Sequence, residues 1–132
     1  MVHALHLALA YAVLTWLLVV LSSLIVARGW TPPGMKYAMG NRDAAPPACG
    51  AAVGRLERAA RNSLENLVFF SAVVLLAYAL KAPDERVALG ASVFFWARVV
   101  YVFVYLAGIP VLRTAVWAVA VAGMGIIAAA SW

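Results

Sequence analysis

Charge is what this sequence has least of. Only five of its 132 residues are acidic and ten are Lys or Arg, so charged side chains make up 11% of the chain, against about 25% in soluble domains. Hydrophobic residues reach 67%, where about 45–50% is usual. A globule of this length cannot hide so much apolar surface from water, because small domains have a high surface-to-volume ratio. A soluble domain is thereby excluded, and a bilayer is the solvent that fits. Cysteine is nearly missing as well. Cys49 stands alone, which excludes an intramolecular disulfide and a two-cysteine metal site and leaves a loop thiol. His3 and His6 lie one helical turn apart with no third ligand in evidence, so no metal is expected. The net charge is +5, yet the sequence has no Lys/Arg-rich run and no reader motif, so no nucleic-acid partner is expected. The first residues do not resemble a cleaved signal peptide. Met1-Val2-His3 carries no Lys or Arg, the apolar run is longer than a signal's core, and no small-residue cleavage site precedes Arg28-Gly29-Trp30.

What is present is four long apolar stretches. The first, Ala4 to Ala27, would be roughly 36 Å long as a helix, enough to cross a hydrocarbon core of about 30 Å. Residues 28–52 form a basic connection. Pro32, Pro33, Pro46 and Pro47, with Gly29, Gly34, Gly40 and Gly50, rule out one continuous helix there. The second span runs from about Val53 to Leu80, polar in its first half and apolar in its second. Lys81 to Arg86 is a tight polar turn in which Pro83 stops one helix and Asp84 is placed to cap the next. The third span covers about Val87 to Ala107, with Arg98 near its middle. Gly108-Ile109-Pro110 links it to the fourth, about Leu112 to Ser131, which has Arg113 in its first turn. Short links make neighbouring helices antiparallel. The expected fold is therefore all-α, a single domain with four transmembrane helices in an up-down-up-down bundle. No internal repeat is found, and the chain is too short for the inverted-repeat transporter plan within one subunit.

Arg28, Lys36, Arg42, Arg55, Arg58, Arg61 and Arg113 all fall on one side of this arrangement. The other side has only Lys81 and Arg86, next to Asp84 and Glu85. The positive-inside rule then places both termini outside and the long connection in the cytoplasm.

Polar residues inside membrane spans are costly and normally face the bundle interior or a water-filled cavity. On the second span, Arg58, Asn62, Glu65 and Phe69 share a face, with Arg55 and Arg61 flanking it and Arg61 one turn from Glu65. On the third, Arg98, Tyr101 and Tyr105 share a face. Arg113 and Thr114 enter the fourth on the same side of the membrane. Arginine stays protonated even when buried, so Glu65 is expected to pair with Arg58, Arg61 or Arg98. The arginines left over suit an anionic ligand, since guanidinium groups grip carboxylates bidentately. A structural ion-pair network with snorkelling side chains, Arg55 first among them, explains the same spacing.

These residues also carry a resemblance. Glu57-Arg58-Ala59-Ala60-Arg61-Asn62-Ser63-Leu64-Glu65-Asn66-Leu67 resembles the second-helix motif of the MAPEG family, the membrane-associated proteins in eicosanoid and glutathione metabolism. The segment from Ala97-Arg98 through Tyr101, Tyr105 and Gly108-Ile109-Pro110 to Arg113 is similar to the family's third-helix motif and exit turn. With Trp117 it looks most like bacterial members. The resemblance implies a four-helix transmembrane bundle assembling as a homotrimer. It also implies glutathione as cosubstrate, bound at subunit interfaces open to the cytoplasm, and a thiol activated against a lipophilic electrophile. Carried over by residue, Arg58, Asn62 and Glu65, with Arg61 beside them, match second-helix ligands of glutathione, and Arg98, Tyr101 and Tyr105 match third-helix ligands. Arg28 resembles a contributor at the subunit boundary. Arg113, after a one-residue shift through Gly108-Ile109-Pro110, matches the arginine that stabilises the thiolate. Ala60 stands where the family often has histidine or glutamine, and Thr114 where some members have serine.

The function expected is a glutathione-dependent transferase or peroxidase in a bacterial inner membrane, among lipids. One alternative is a small four-helix efflux transporter, but the membrane glutamate of the small multidrug transporters has no counterpart in Ala4 to Ala27. Another is a catalytically silent membrane protein that binds glutathione.

Overall fold

Inside hydrocarbon a backbone must satisfy its own N–H and C=O groups, and a helix does so within one segment. The computed structural model describes residues 1–41 and 50–132. Among them are helices α1 (Val2–Ala27), α2 (Pro32–Met39), α3 (Ala51–Ala79), α4 (Asp84–Ala107) and α5 (Pro110–Ala130). All but α2 are long and apolar enough to cross a membrane. Arg42, Pro46, Pro47 and Cys49 lie outside the described residues.

The four spans begin where the apolar runs suggest, give or take a few residues. The later three start two or three residues early, at Ala51, Asp84 and Pro110. For α5 the reason is proline chemistry. Pro110 occupies the first helical turn, where its missing N–H costs nothing. For α4 the expected cap is not observed. Pro83 is the N-cap residue, Asp84 is already helical, and no side chain caps the end. The Asp84 carboxylate instead pairs with the Met1 amino group. The breaker-rich connection also holds more order than its composition suggests. Thr31 Oγ1 accepts the Gly34 N–H at 3.2 Å, and two prolines open α2 behind that cap. A side chain at Gly34 would collide with the carbonyls of Ala27 and Arg28, so glycine lets α2 fold back against the end of α1.

Contacts fix the directions. Tyr11 meets Arg98 and His3 meets Ser92, so α1 and α4 run parallel. Arg55 meets Leu106 while Phe70 stacks on Phe94, so α3 is antiparallel to α4. Gly90 meets Gly123 while Tyr105 meets Arg113, so α5 is antiparallel to α4. The bundle is thus up-down-up-down. One end carries the termini and the α3–α4 turn. The other, basic end carries α2, the start of α3 and the α4–α5 turn.

Toward the first end the core is apolar. Tyr11, Phe70 and Phe94 are fully buried. Phe70 and Phe94 stack with centroids 3.9 Å apart, and Tyr11 meets both edge-on. Nearby, α4 and α5 approach backbone to backbone. A Cβ on Gly90 would lie 2.6 Å from the Gly123 carbonyl oxygen, and one on Gly123 would lie 2.7 Å from the Phe94 nitrogen. Small residues at such a crossing allow close van der Waals packing, which drives helix association in lipid. Toward the basic end the interior turns polar.

Candidate functional site

Arg98 has no exposed surface, and its position half-way along α4 is explained by its neighbours. Its Nε donates to Tyr11 Oη at 3.0 Å. Its Nη2 donates to Asn62 Oδ1 at 2.9 Å and Ser63 Oγ at 3.3 Å. The guanidinium carbon sits 4.2 Å from the Tyr101 ring centroid, a cation–π contact. Tyr11 Oη in turn donates a hydrogen bond to the Ser63 carbonyl at 3.1 Å. Nη1 is buried without a hydrogen-bond partner.

The carboxylate expected beside this charge is not there. Glu65 is exposed, and among the described residues the ion pair is that of Met1 with Asp84, at the far end. The helix explains why. The buried stripe of α3 runs through Leu56, Ala59, Ala60, Ser63, Asn66 and Phe70. The face predicted to be polar, Arg58-Asn62-Glu65-Phe69, lies along the rim of that stripe. Asn62 is half-buried there, and the other three are exposed.

Two adjoining clefts open at the basic end. One, of about 280 Å³, is lined by Asn62, Tyr101, Tyr105, Arg113, Thr114 and Trp117. The other, of about 180 Å³, is lined by Arg55, Arg58, Tyr105, the 108–110 turn and Arg113. Tyr105 and Arg113 belong to both, and the Arg113 guanidinium carbon lies 4.9 Å from the Tyr105 ring centroid. Among the described residues no carboxylate lines either cleft. The chemistry offered is guanidinium, phenol and amide, a donor-rich surface that suits carboxylates and thiolates.

Arg113 is aimed by the turn before it. Gly108 has φ 76°, a left-handed conformation that glycine adopts freely. The N–H groups of Gly108 and Ile109 close back on the carbonyls of Tyr105 and Val104, a Schellman ending for α4. Arg55 Nε adds a hydrogen bond of 3.0 Å to the Leu106 carbonyl. Arg55 is therefore a clamp between α3 and the α4–α5 turn, and the reading of it as a snorkelling side chain is corrected.

Of the residues singled out in the sequence, Arg58, Asn62, Tyr101, Tyr105 and Arg113 meet at these clefts, with Arg98 behind them. Arg28, Arg61 and Glu65 are exposed and line neither cleft. Among the described residues no three His, Cys, Asp or Glu side chains converge as metal ligands. Sequence reasoning missed Tyr11, Ser63 and the role of Arg55. The signal for Tyr11 was slight: it and Thr15, a turn apart on one face, are the polar residues in the middle of a mostly apolar span.

The match to known families is nearly end to end, since the model of the MAPEG family covers residues 4–132. The chain is a MAPEG family member. A search of curated proteins returned no match. The resemblance read from residues 57–67 and 97–113 therefore holds, and membership associates the chain with membrane proteins related to glutathione. In this MAPEG bundle, the first motif forms the rim and buried stripe of α3. The second forms the α4 face and the turn that delivers Arg113.

Proposed function

We propose that this MAPEG protein is a glutathione-dependent membrane enzyme of transferase or peroxidase type. The observation that carries the reading is the pair of clefts that meet at Arg113 and, among the described residues, are lined by donors and by no carboxylate. Asn62, Tyr101, Tyr105 and Arg58 offer donors for the carboxylates and peptide carbonyls of glutathione. Arg113 sits where its charge favours the thiolate over the thiol, and the thiolate is the nucleophile. It attacks the electrophilic carbon of a lipophilic molecule entering from the bilayer. A carbon–sulfur bond forms, and the bond to the leaving group breaks with its electron pair.

Glu65, Arg61 and Arg28 line neither cleft of their own chain. In a homotrimer they would complete the site: Glu65 holding the amino group of glutathione, and Arg28 reaching from the boundary between copies. Large exposed apolar side chains such as Leu75, Leu76, Trp96 and Phe103 suit lipid or a neighbouring copy. We place the protein in a bacterial inner membrane, with both termini outside and the clefts facing the cytoplasm.

The test is titration of detergent-purified protein with glutathione, followed by a conjugation assay with a generic aromatic electrophile. Wild type is expected to bind and turn over. Arg113→Ala is expected to bind about as well but to lose roughly 100-fold in turnover, as when a transition-state charge partner is removed. No binding by wild type would sink the reading, and binding without turnover toward many electrophiles would restrict it to a binding role.

A further inference from the structure

We propose that Tyr11, on a helix that contributes no side chain to either cleft, is a positioning residue for the anion site, acting through Arg98 and Asn62. The inference rests on the glutathione reading of that site. Tyr11 Oη donates a hydrogen bond to the Ser63 carbonyl at 3.1 Å, so what it turns toward Arg98 is a lone pair, which accepts from Nε at 3.0 Å. Guanidinium is planar and its donors are fixed relative to one another. Anchoring Nε therefore fixes the direction of Nη2, which meets Asn62 Oδ1 at 2.9 Å.

Arginine only donates, so the atom Asn62 turns inward must be its oxygen. Asn66 Nδ2 also approaches that oxygen, at 3.4 Å. The amide nitrogen of Asn62 is thereby turned away from Arg98, and Asn62 lines the larger cleft. With Oδ1 taken up by Arg98 and Asn66, the side-chain group Asn62 has left to offer that cleft is a donor, which suits a carboxylate.

Charge points the same way. Arg98 is fully buried, and among the described residues no carboxylate pairs with it. A buried charge without a partner is expensive and acts over a longer distance than one in water. Among the described residues, Asn62 and Tyr101 both hold Arg98 and line the larger cleft. A carboxylate seated on Asn62 would be the counter-charge of Arg98 at one remove. Tyr11 matters because it holds the fork in the orientation that presents this charge through Asn62.

Full-length protein in detergent is titrated with glutathione and with glutathione whose two carboxylates are esterified. Wild type is expected to prefer the acid. Tyr11→Phe should cut that preference by about three- to tenfold, the scale of one hydrogen bond. A purely structural role would weaken both ligands by the same factor and leave the preference intact. Arg98→Lys, which keeps the charge but loses the fork, should do the same and serves if Tyr11→Phe does not fold. Asn62→Asp retains an oxygen for Nη2 but supplies Arg98 with its own counter-charge. It should abolish the preference without lowering the melting temperature, and adding Tyr11→Phe to it should change the preference no further. An undiminished preference in Tyr11→Phe and Arg98→Lys overturns this inference and leaves the glutathione reading standing. No binding of glutathione by wild type overturns both.

Discussion

Removing the Tyr11 hydroxyl should destabilise the bundle more than removing the charge it serves. In Tyr11→Phe, Arg98 Nε loses its one acceptor among the described residues while remaining charged and buried. An unmade hydrogen bond to a charged group costs about 1.5–3 kcal/mol. The neutral bond from Tyr11 to the Ser63 carbonyl adds about 0.6 kcal/mol, the average for interhelical pairs in a membrane bundle. The total is about 2–3.5 kcal/mol. Arg98→Met removes its bonds to Tyr11, Asn62 and Ser63 and the contact with the Tyr101 ring. It also removes an unpaired buried charge, whose desolvation costs several kcal/mol. The two sides nearly cancel, and the net change should stay within about 2 kcal/mol. Once the charge is gone, Tyr11→Phe should cost only about 0.6 kcal/mol. The double-mutant cycle should therefore show a coupling of about 1.5–3 kcal/mol. Reversible unfolding in mixed micelles, followed by helical circular dichroism, measures all four corners. A coupling below about 0.5 kcal/mol, the level at which distant sites are additive, would refute the account of how Arg98 is held.

Two further outcomes follow from the packing. Gly90→Ala places a Cβ 2.6 Å from the Gly123 carbonyl and 2.7 Å from Ile127 Cγ1. The α4–α5 crossing must open, and a loss of about 1–3 kcal/mol is expected, read as a lower melting temperature in detergent. Arg55→Leu removes the clamp on the Leu106 carbonyl. It should cost about 1–3 kcal/mol and slow glutathione turnover as the turn that aims Arg113 loosens, whereas Glu57→Gln, on an exposed side chain of the same helix, should leave both unchanged.

The spans were legible because a long apolar run in lipid has essentially one way to satisfy its backbone. Their polar faces were legible for the same reason: Asn62, Tyr101, Tyr105 and Arg113 stand out against such a background. Glu65 was harder. Helical spacing groups it with Asn62, but spacing does not say which edge of a stripe turns inward, and here Ser63 and Asn66 do. The assumption that a buried arginine needs a carboxylate also failed to find its real partners. Arg98 is held by a phenol, an amide and a hydroxyl, and in a sequence these residue types look like ordinary packing. Thr31-Pro32-Pro33 was read for its breakers, though a capping residue followed by proline also starts a helix.

The neighbours of Arg98 have an order as well as a geometry. Tyr11, Asn62 and Ser63 all precede it in the chain. A helix with an arginine at its centre enters a membrane reluctantly, at a cost of about 2.5–3.5 kcal/mol for that residue. Because synthesis proceeds from the amino terminus, α1 and α3 are already available when α4 emerges, and the acceptors for its guanidinium come with them. The segment least suited to insert by itself is therefore the one that arrives after its partners. Truncations that remove α1 should leave α4 without the phenol it needs, and impair its integration before any question of binding arises.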